Sequence, residues 1–224
     1  MSLNVPTMAE LAARGETAEV LFWVGCAGSF DERAKKVTKA VAKLLNQAGV
    51  SFAVLGAEES CTGDPARRAG NEFLFQMQAL TNIEVLNGYS VQKIVAACPH
   101  CFNTLKNEYP QLGGTYEVFH HSQFIEQLLR DGRLRVEGGS FKGKRIVFHD
   151  PCYLGRVNGE YEAPRALLEK LDAEIHEMKR SKKNGFCCGA GGARMWMEET
   201  IGTKVNDERA AEAISTGASR VATA

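Results

Sequence analysis

The chain has 224 residues, 44% of them hydrophobic, and Lys plus Arg match Asp plus Glu at 27 each. This balance excludes the basic field that gathers nucleic acid, and no basic leader or long apolar run suggests secretion or a membrane span. Seven cysteines in the expected cytoplasmic setting point to metal or redox chemistry rather than disulfides, because thiols there are kept reduced and an odd count leaves one unpaired.

In chain order, Thr7 and Glu10 form a capping-box pattern that predicts a short helix from Met8 to about Arg14. Glu19 to Val24 is a branched and aromatic run that reads as a buried strand ending at Gly25-Cys26. From Asp31 the period becomes helical, through Ala34, Val37, Val41, Leu44, Leu45 and Ala48, and Gly49 closes it. A strand over Phe52 to Leu55, a loop with Cys61, a helix from about Asn71 to Leu86, and a strand from Val91 to Ala97 that runs into Cys98 complete the first half. A helix from Cys101 to about Tyr109, a short strand and a helix over Gln123 to Leu129 lead to a glycine-rich linker around Gly138-Gly139.

The same order then returns. Arg145 to Phe148 reads as a strand leading to Cys152, Ala163 to Leu171 as a helix, and Glu174 to Met178 as a strand. A loop carries Cys187-Cys188-Gly189, a helix is predicted over Gly192 to Ala213, and Arg220 to Ala224 starts another strand. Cys26 and Cys61 are 35 positions apart, as are Cys152 and Cys187, with Gly63 and Gly189 each two places beyond the second cysteine. Val221-Ala222-Thr223-Ala224 matches the stretch before Cys98, so the expectation is one complete unit and a second that stops before its Cys-Pro-x-Cys. The fold class expected is α/β, in two similar units, each a small parallel sheet with covering helices. The divisions are a lead-in segment over 1–18, a first cysteine-rich repeat over 19–138 and a second over 139–224.

In an open parallel sheet, ligands gather outside the carboxyl ends of the strands, where Cys26, Cys61 and Cys98 all fall. Cys98-Pro99-His100-Cys101 places two thiols within one turn at a helix start, where unpaired N–H groups favour thiolates. Cys26, Cys61, Cys98 and Cys101 thus offer the four sulfurs that zinc or an iron-sulfur cluster takes. Cys152, Cys187 and Cys188 would supply part of a second site, and their tandem pair suits a multi-iron cluster better than one tetrahedral ion.

These motifs, with His149-Asp150-Pro151-Cys152-Tyr153-Leu154-Gly155-Arg156, resemble the cysteine-rich domain family, whose repeat runs Cys, then Cys-Cys-Gly, then Cys-Pro-x-Cys. That family includes the B and D subunits of heterodisulfide reductase and the iron-sulfur subunits of glycolate oxidase, anaerobic glycerol-3-phosphate dehydrogenase and lactate utilisation. The resemblance covers about Glu19 to Ala224. It implies electron transfer between a ferredoxin-type or flavin dehydrogenase partner and a quinone or disulfide acceptor, with any membrane association peripheral and through a partner. It implies non-cubane clusters in heterodisulfide reductase, with zinc an alternative occupant of one copy. In the first repeat Thr62 replaces the second cysteine of the tandem, so zinc or a conventional cluster is expected there.

Other readings weigh less. Cys-Pro-His-Cys also suits a thioredoxin-like dithiol, but that chemistry needs neither Cys26 nor Cys61 nor a repeat. A docking domain stapled by zinc is the structural alternative. His120 and His121 read as polar residues at a strand-to-helix turn, His100 as a tuning residue and His149 as structural. Met195, Trp196 and Met197 read as packing residues, and Arg67 and Arg68 as either anion-facing or a solvated helix start.

Overall fold

The computed structural model describes residues 3–224, with the side chain of Trp196 outside the described set. The chain divides into two compact units, Met1–Leu134 and Arg135–Ala224.

The first unit opens with α1 (Met8–Ala13), capped as expected: Thr7 Oγ1 accepts from the Glu10 N–H at 3.1 Å and Glu10 Oε2 accepts from the Thr7 N–H at 2.8 Å. Strand β1 (Val20–Trp23) is buried throughout and leads into a one-turn helix α2 (Gly25–Phe30), which the sequence did not announce. Asp31 caps α3 (Glu32–Gln47), accepting from the Ala34 N–H at 2.7 Å. Strand β2 (Phe52–Ala53) follows, then α4 (Asp64–Arg68), α5 (Glu72–Gly88) and β3 (Lys93–Ala96). The predicted helix after Cys98 is α6 (Pro99–Asn103), which widens into a π-helical stretch over Thr104–Glu108. Strand β4 (Glu117–His120) and α7 (His121–Arg130) end the unit.

The four strands are parallel, in the order β2-β1-β3-β4. Successive strand residues alternate in direction. Val20, Phe22, Phe52 and Val95 pack with Val41, Ala42 and Leu45 of α3 and Phe124 and Leu128 of α7 in one core cluster. Leu21, Trp23, Ile94 and Ala96, no more than 2% exposed, point to the opposite face. Right-handed crossovers put α5 there, since β1-α3-β2 and β2-α5-β3 step in opposite directions along the sheet. That reversal opens a crevice at the carboxyl ends of β1 and β3, the two strands that lead to Cys26 and Cys98.

The second unit carries β5 (Arg145–His149), α8 (Glu162–Lys170), β6 (Glu174–His176), α9 (Val205–Ser215) and β7 (Arg220–Thr223). Its sheet, β6-β5-β7, is again parallel, with the reversal beside β5, the strand that leads to Cys152. The predicted helix over Gly192 to Ala213 is not continuous. Only a turn at Arg194–Trp196 and α9 are helical, and Ala193 before the turn and Gly202 after it take left-handed backbone, with φ of 66° and 71°. Met195 and Met197 are 62% and 50% exposed, which corrects their reading as packing residues. Among the described residues, no helix is long and apolar enough to cross a membrane.

Candidate metal centre

Cys26 sits in the first turn of α2, Cys98 caps α6, Cys101 lies inside it, and Cys61 occupies the loop before α4. The loops bring these thiols into mutual range. The Cys61 thiol donates to the Cys26 sulfur, holding Cys26 down to about 6 and pushing Cys61 up. In the same way the Cys101 thiol holds Cys98 down to about 7, while the bond to Cys98 and full burial push Cys101 up. In each pair one thiol is thus lowered and the other raised. Thr62 links them: its hydroxyl, 1% exposed, donates to Cys101 Sγ at 3.7 Å, from the position that the second repeat fills with Cys188. Among the described residues, no three Cys, His, Asp or Glu side chains already form the cage of a single ion.

The loops are held by groups that the sequence did not single out. Glu59 Oε2 accepts from the Val24 N–H at 3.0 Å and Oε1 from the Gly25 N–H at 2.6 Å, fixing the backbone immediately before Cys26. Burial pushes this carboxyl up to about 7 despite the two N–H donors. Asn82 and Tyr109, both fully buried, pin the Cys61 loop. The Asn82 amide donates to the Cys61 carbonyl and to the Tyr109 hydroxyl, each at 3.0 Å, and Tyr109 donates to the Thr62 carbonyl at 3.3 Å. Asn82 had a visible signal, a polar residue among the inward positions Phe75, Ala79, Ile83 and Leu86 of α5.

Behind the thiols lies an ion-pair chain. His100 Nδ1 meets Asp64 Oδ2 at 2.8 Å, Arg68 Nε donates to Asp64 Oδ1 at 3.1 Å, and Arg67 and Arg68 both pair with Glu108. Burial works against the charge on His100, but the Asp64 carboxylate outweighs it and raises the imidazole above its usual range. Arg67 and Arg68 therefore face inward, to carboxylates, rather than to an anionic ligand or open solvent. His120 and His121 do lie at the turn from β4 to α7, and burial holds both below the ordinary imidazole range, His121 at about 4.

The second unit repeats the turn geometry. The Gly189 N–H donates to Cys187 Sγ at 3.3 Å, as the Gly63 N–H does to Cys61 Sγ at 3.5 Å, and both glycines are left-handed, with φ of 79° and 85°. The Ala190 N–H donates to Cys188 Sγ at 3.4 Å. Burial, with Cys187 and Cys188 nearby, pushes the Cys152 thiol up. Asp150, 5% exposed, anchors this end of β5: its carboxylate takes Arg165 Nη1 and Nη2 at 2.8 and 3.0 Å and the Lys182 N–H at 2.7 Å. His149 accepts from Arg209 Nε at 2.9 Å, and burial and that cation hold it at about 4, in keeping with a structural role.

Two α/β units, each with a parallel sheet, cysteines beyond the strand ends and a Cys-x-Gly turn that aims N–H groups at sulfur, define a duplicated cysteine-rich fold. The Cysteine-rich domain family matches residues 20–106 and again 146–224, and the chain belongs to that family. It is 49% identical over 185 residues to a protein of Syntrophomonas wolfei named EtfAB:quinone oxidoreductase, covering 83% of this chain and 26% of that one. It is 46% identical over 213 residues to the probable iron-sulfur-binding oxidoreductase FadF of Bacillus subtilis, covering 95% of this chain and 30% of that one. It is 32% identical over 210 residues to the D subunit of the dihydromethanophenazine:CoB--CoM heterodisulfide reductase of Methanosarcina barkeri, covering 91% of this chain and 50% of that one. The chain thus spans between about a quarter and a half of these relatives.

Proposed function

We propose that this chain is an iron-sulfur electron-transfer domain of an oxidoreductase. One observation carries the reading: two thiol pairs, Cys26 with Cys61 and Cys98 with Cys101, come together beyond the carboxyl ends of a parallel sheet, and the Cys-x-Gly turn of the first pair recurs in the second unit. Cys26, Cys61, Cys98 and Cys101 hold one centre, and Cys152, Cys187 and Cys188 contribute to a second. The donor set fits: one thiol of each pair, Cys26 and Cys98, readily loses its proton, and backbone N–H groups already point at Cys61, Cys187 and Cys188. The bound group supplies one-electron storage. The residues of this chain hold the thiols and place donors on sulfur.

The relatives' names, which speak of iron-sulfur binding, favour a cluster over the zinc expected as the alternative for the first repeat. They also support a redox partner, with a quinone or a disulfide as acceptor. Electron paramagnetic resonance of anaerobically purified, dithionite-reduced protein tests the assignment. Cys98→Ser removes one signal and Cys187→Ser affects another. Loss of both signals from a single substitution refutes separate sites, and no signal with no bound iron refutes the cluster.

A further inference from the structure

Strand β1 ends in Trp23, which is 1% exposed and whose indole Nε1–H meets no acceptor among the described residues. Buried donors are nearly always paired, because an unpaired one loses its water without replacement. Trp23 breaks that rule beside the thiols. Its Cδ1, the ring carbon bonded to Nε1, lies 4.0 Å from where a Cβ on Gly25 would stand, and Cys101 Sγ lies 3.5 Å from the same point. The indole edge and the thiol thus border one notch, left open because residue 25 has no side chain. Gly25 is held there by its φ of 75° and by the Glu59 carboxylate on its N–H.

We propose that the Trp23 indole N–H donates a hydrogen bond to a sulfur of the iron-sulfur group held by Cys26, Cys61, Cys98 and Cys101, and thereby raises its reduction potential. This rests on the cluster reading of the preceding subsection. Reduction adds negative charge, much of it on sulfur, so a fixed donor stabilises the reduced form more than the oxidised one. Trp23 ligates nothing; it is a positioning residue that tunes the group through an N–H that no acceptor among the described residues takes.

Trp23→Phe keeps an aromatic ring in the core and removes the N–H. The expected result is unchanged iron and sulfide in the first repeat and a midpoint moved to more negative potential. The shift is on the order of tenfold in the reduced-to-oxidised ratio at fixed potential, which is 59 mV for a one-electron couple. An unmoved midpoint with full iron overturns the proposal and leaves the cluster reading intact, whereas absence of iron and sulfide from the unaltered protein overturns both. Should Trp23→Phe not fold, unaltered protein carrying 15N-labelled indole decides. On reduction, one of the two tryptophan N–H resonances should acquire a hyperfine shift and persist in Trp196→Phe, and two unshifted resonances overturn the proposal.

Discussion

Replacing Arg165 by Met tests whether a buried ion pair holds the second cysteine site in shape. Arg165 and Asp150 are 5% exposed, and the guanidinium grips both carboxylate oxygens at 2.8 and 3.0 Å. The same carboxylate receives the Lys182 N–H at 2.7 Å, so Asp150 ties the end of β5, two residues before Cys152, to the loop that leads to Cys187. Removing one partner of such a pair leaves a buried charge uncompensated, at a cost of about 3–5 kcal/mol. The further bonds to Glu177, whose side chain is 37% exposed, add at most about 1 kcal/mol. Arg165→Met should therefore cost about 3–5 kcal/mol, and Asp150→Asn with Arg165→Met distinctly less, because the double variant buries no lone charge. Denaturant unfolding of the two single variants and the double variant gives the coupling directly. A coupling below about 0.5 kcal/mol would falsify the clamp, since additivity within that margin is what independent sites show. Alongside, Cys152 should react faster with an alkylating reagent in Arg165→Met once its loop is released.

Three further outcomes follow from the geometry. Gly63→Ala should destabilise the protein by more than about 1 kcal/mol and weaken metal retention, because φ is 85° and the new Cβ would stand 2.8 Å from Phe75 Cδ2 and 3.1 Å from the Phe75 carbonyl oxygen; calorimetry with iron analysis checks both, and wild-type values would contradict it. Thr62→Cys should restore the tandem pair in the first repeat and change its metal content or spectrum, whereas Thr62→Val should keep the stoichiometry and lose only the donor on Cys101; identical behaviour of the two variants would count against a site at that edge. Burial holds His120 and His121 below the ordinary value of 6.5 in the first unit, and burial with Arg209 does so for His149 in the second. Folded-state values below the unfolded ones mean that the unfolded chain binds the extra protons. This stability is fully present above 6.5 and is lost as pH falls toward 4. Glu59, raised to about 7, acts in the opposite sense but is one group against three, so the thermal midpoint should drop between about pH 7 and about pH 5, less so in His149→Gln, and a flat profile would refute it.

Much of this architecture was legible because the two periods that build it are strong in the sequence. The branched runs expected as strands became the parallel strands β1, buried throughout, and β5, buried over Ile146, Val147 and Phe148, and the 35-residue spacing became the same left-handed turn at Gly63 and Gly189. The helix α2 was hidden because the two glycines of Gly25-Cys26-Ala27-Gly28 make its helical propensity weak, and the backbone at its start is held by Glu59. The continuous helix expected over Gly192 to Ala213 failed where backbone sterics overrode composition: Ala193 and Gly202 are left-handed, and α9 begins only at Val205. Supporting groups such as Glu59, Tyr109 and Arg165 stand 15 to 47 positions from the residues they hold, and pairings over that separation leave no periodic trace. The cysteines were readable because metal chemistry restricts the residue type, whereas a backbone clamp can be any carboxylate at the right point in space.

Binding of iron and sulfide by the four thiols of the first repeat, with those of the second, is what the electron-transfer role stands on. The most direct test is quantitation of iron, zinc and acid-labile sulfide in protein purified without oxygen, together with its absorption spectrum. Iron and sulfide in comparable amounts, with visible charge-transfer absorption that falls on changing Cys98 to Ser, is the expected result. Zinc without sulfide would contradict that role and leave the first repeat a structural staple, and protein free of metal would return the Cys98–Cys101 pair to dithiol chemistry.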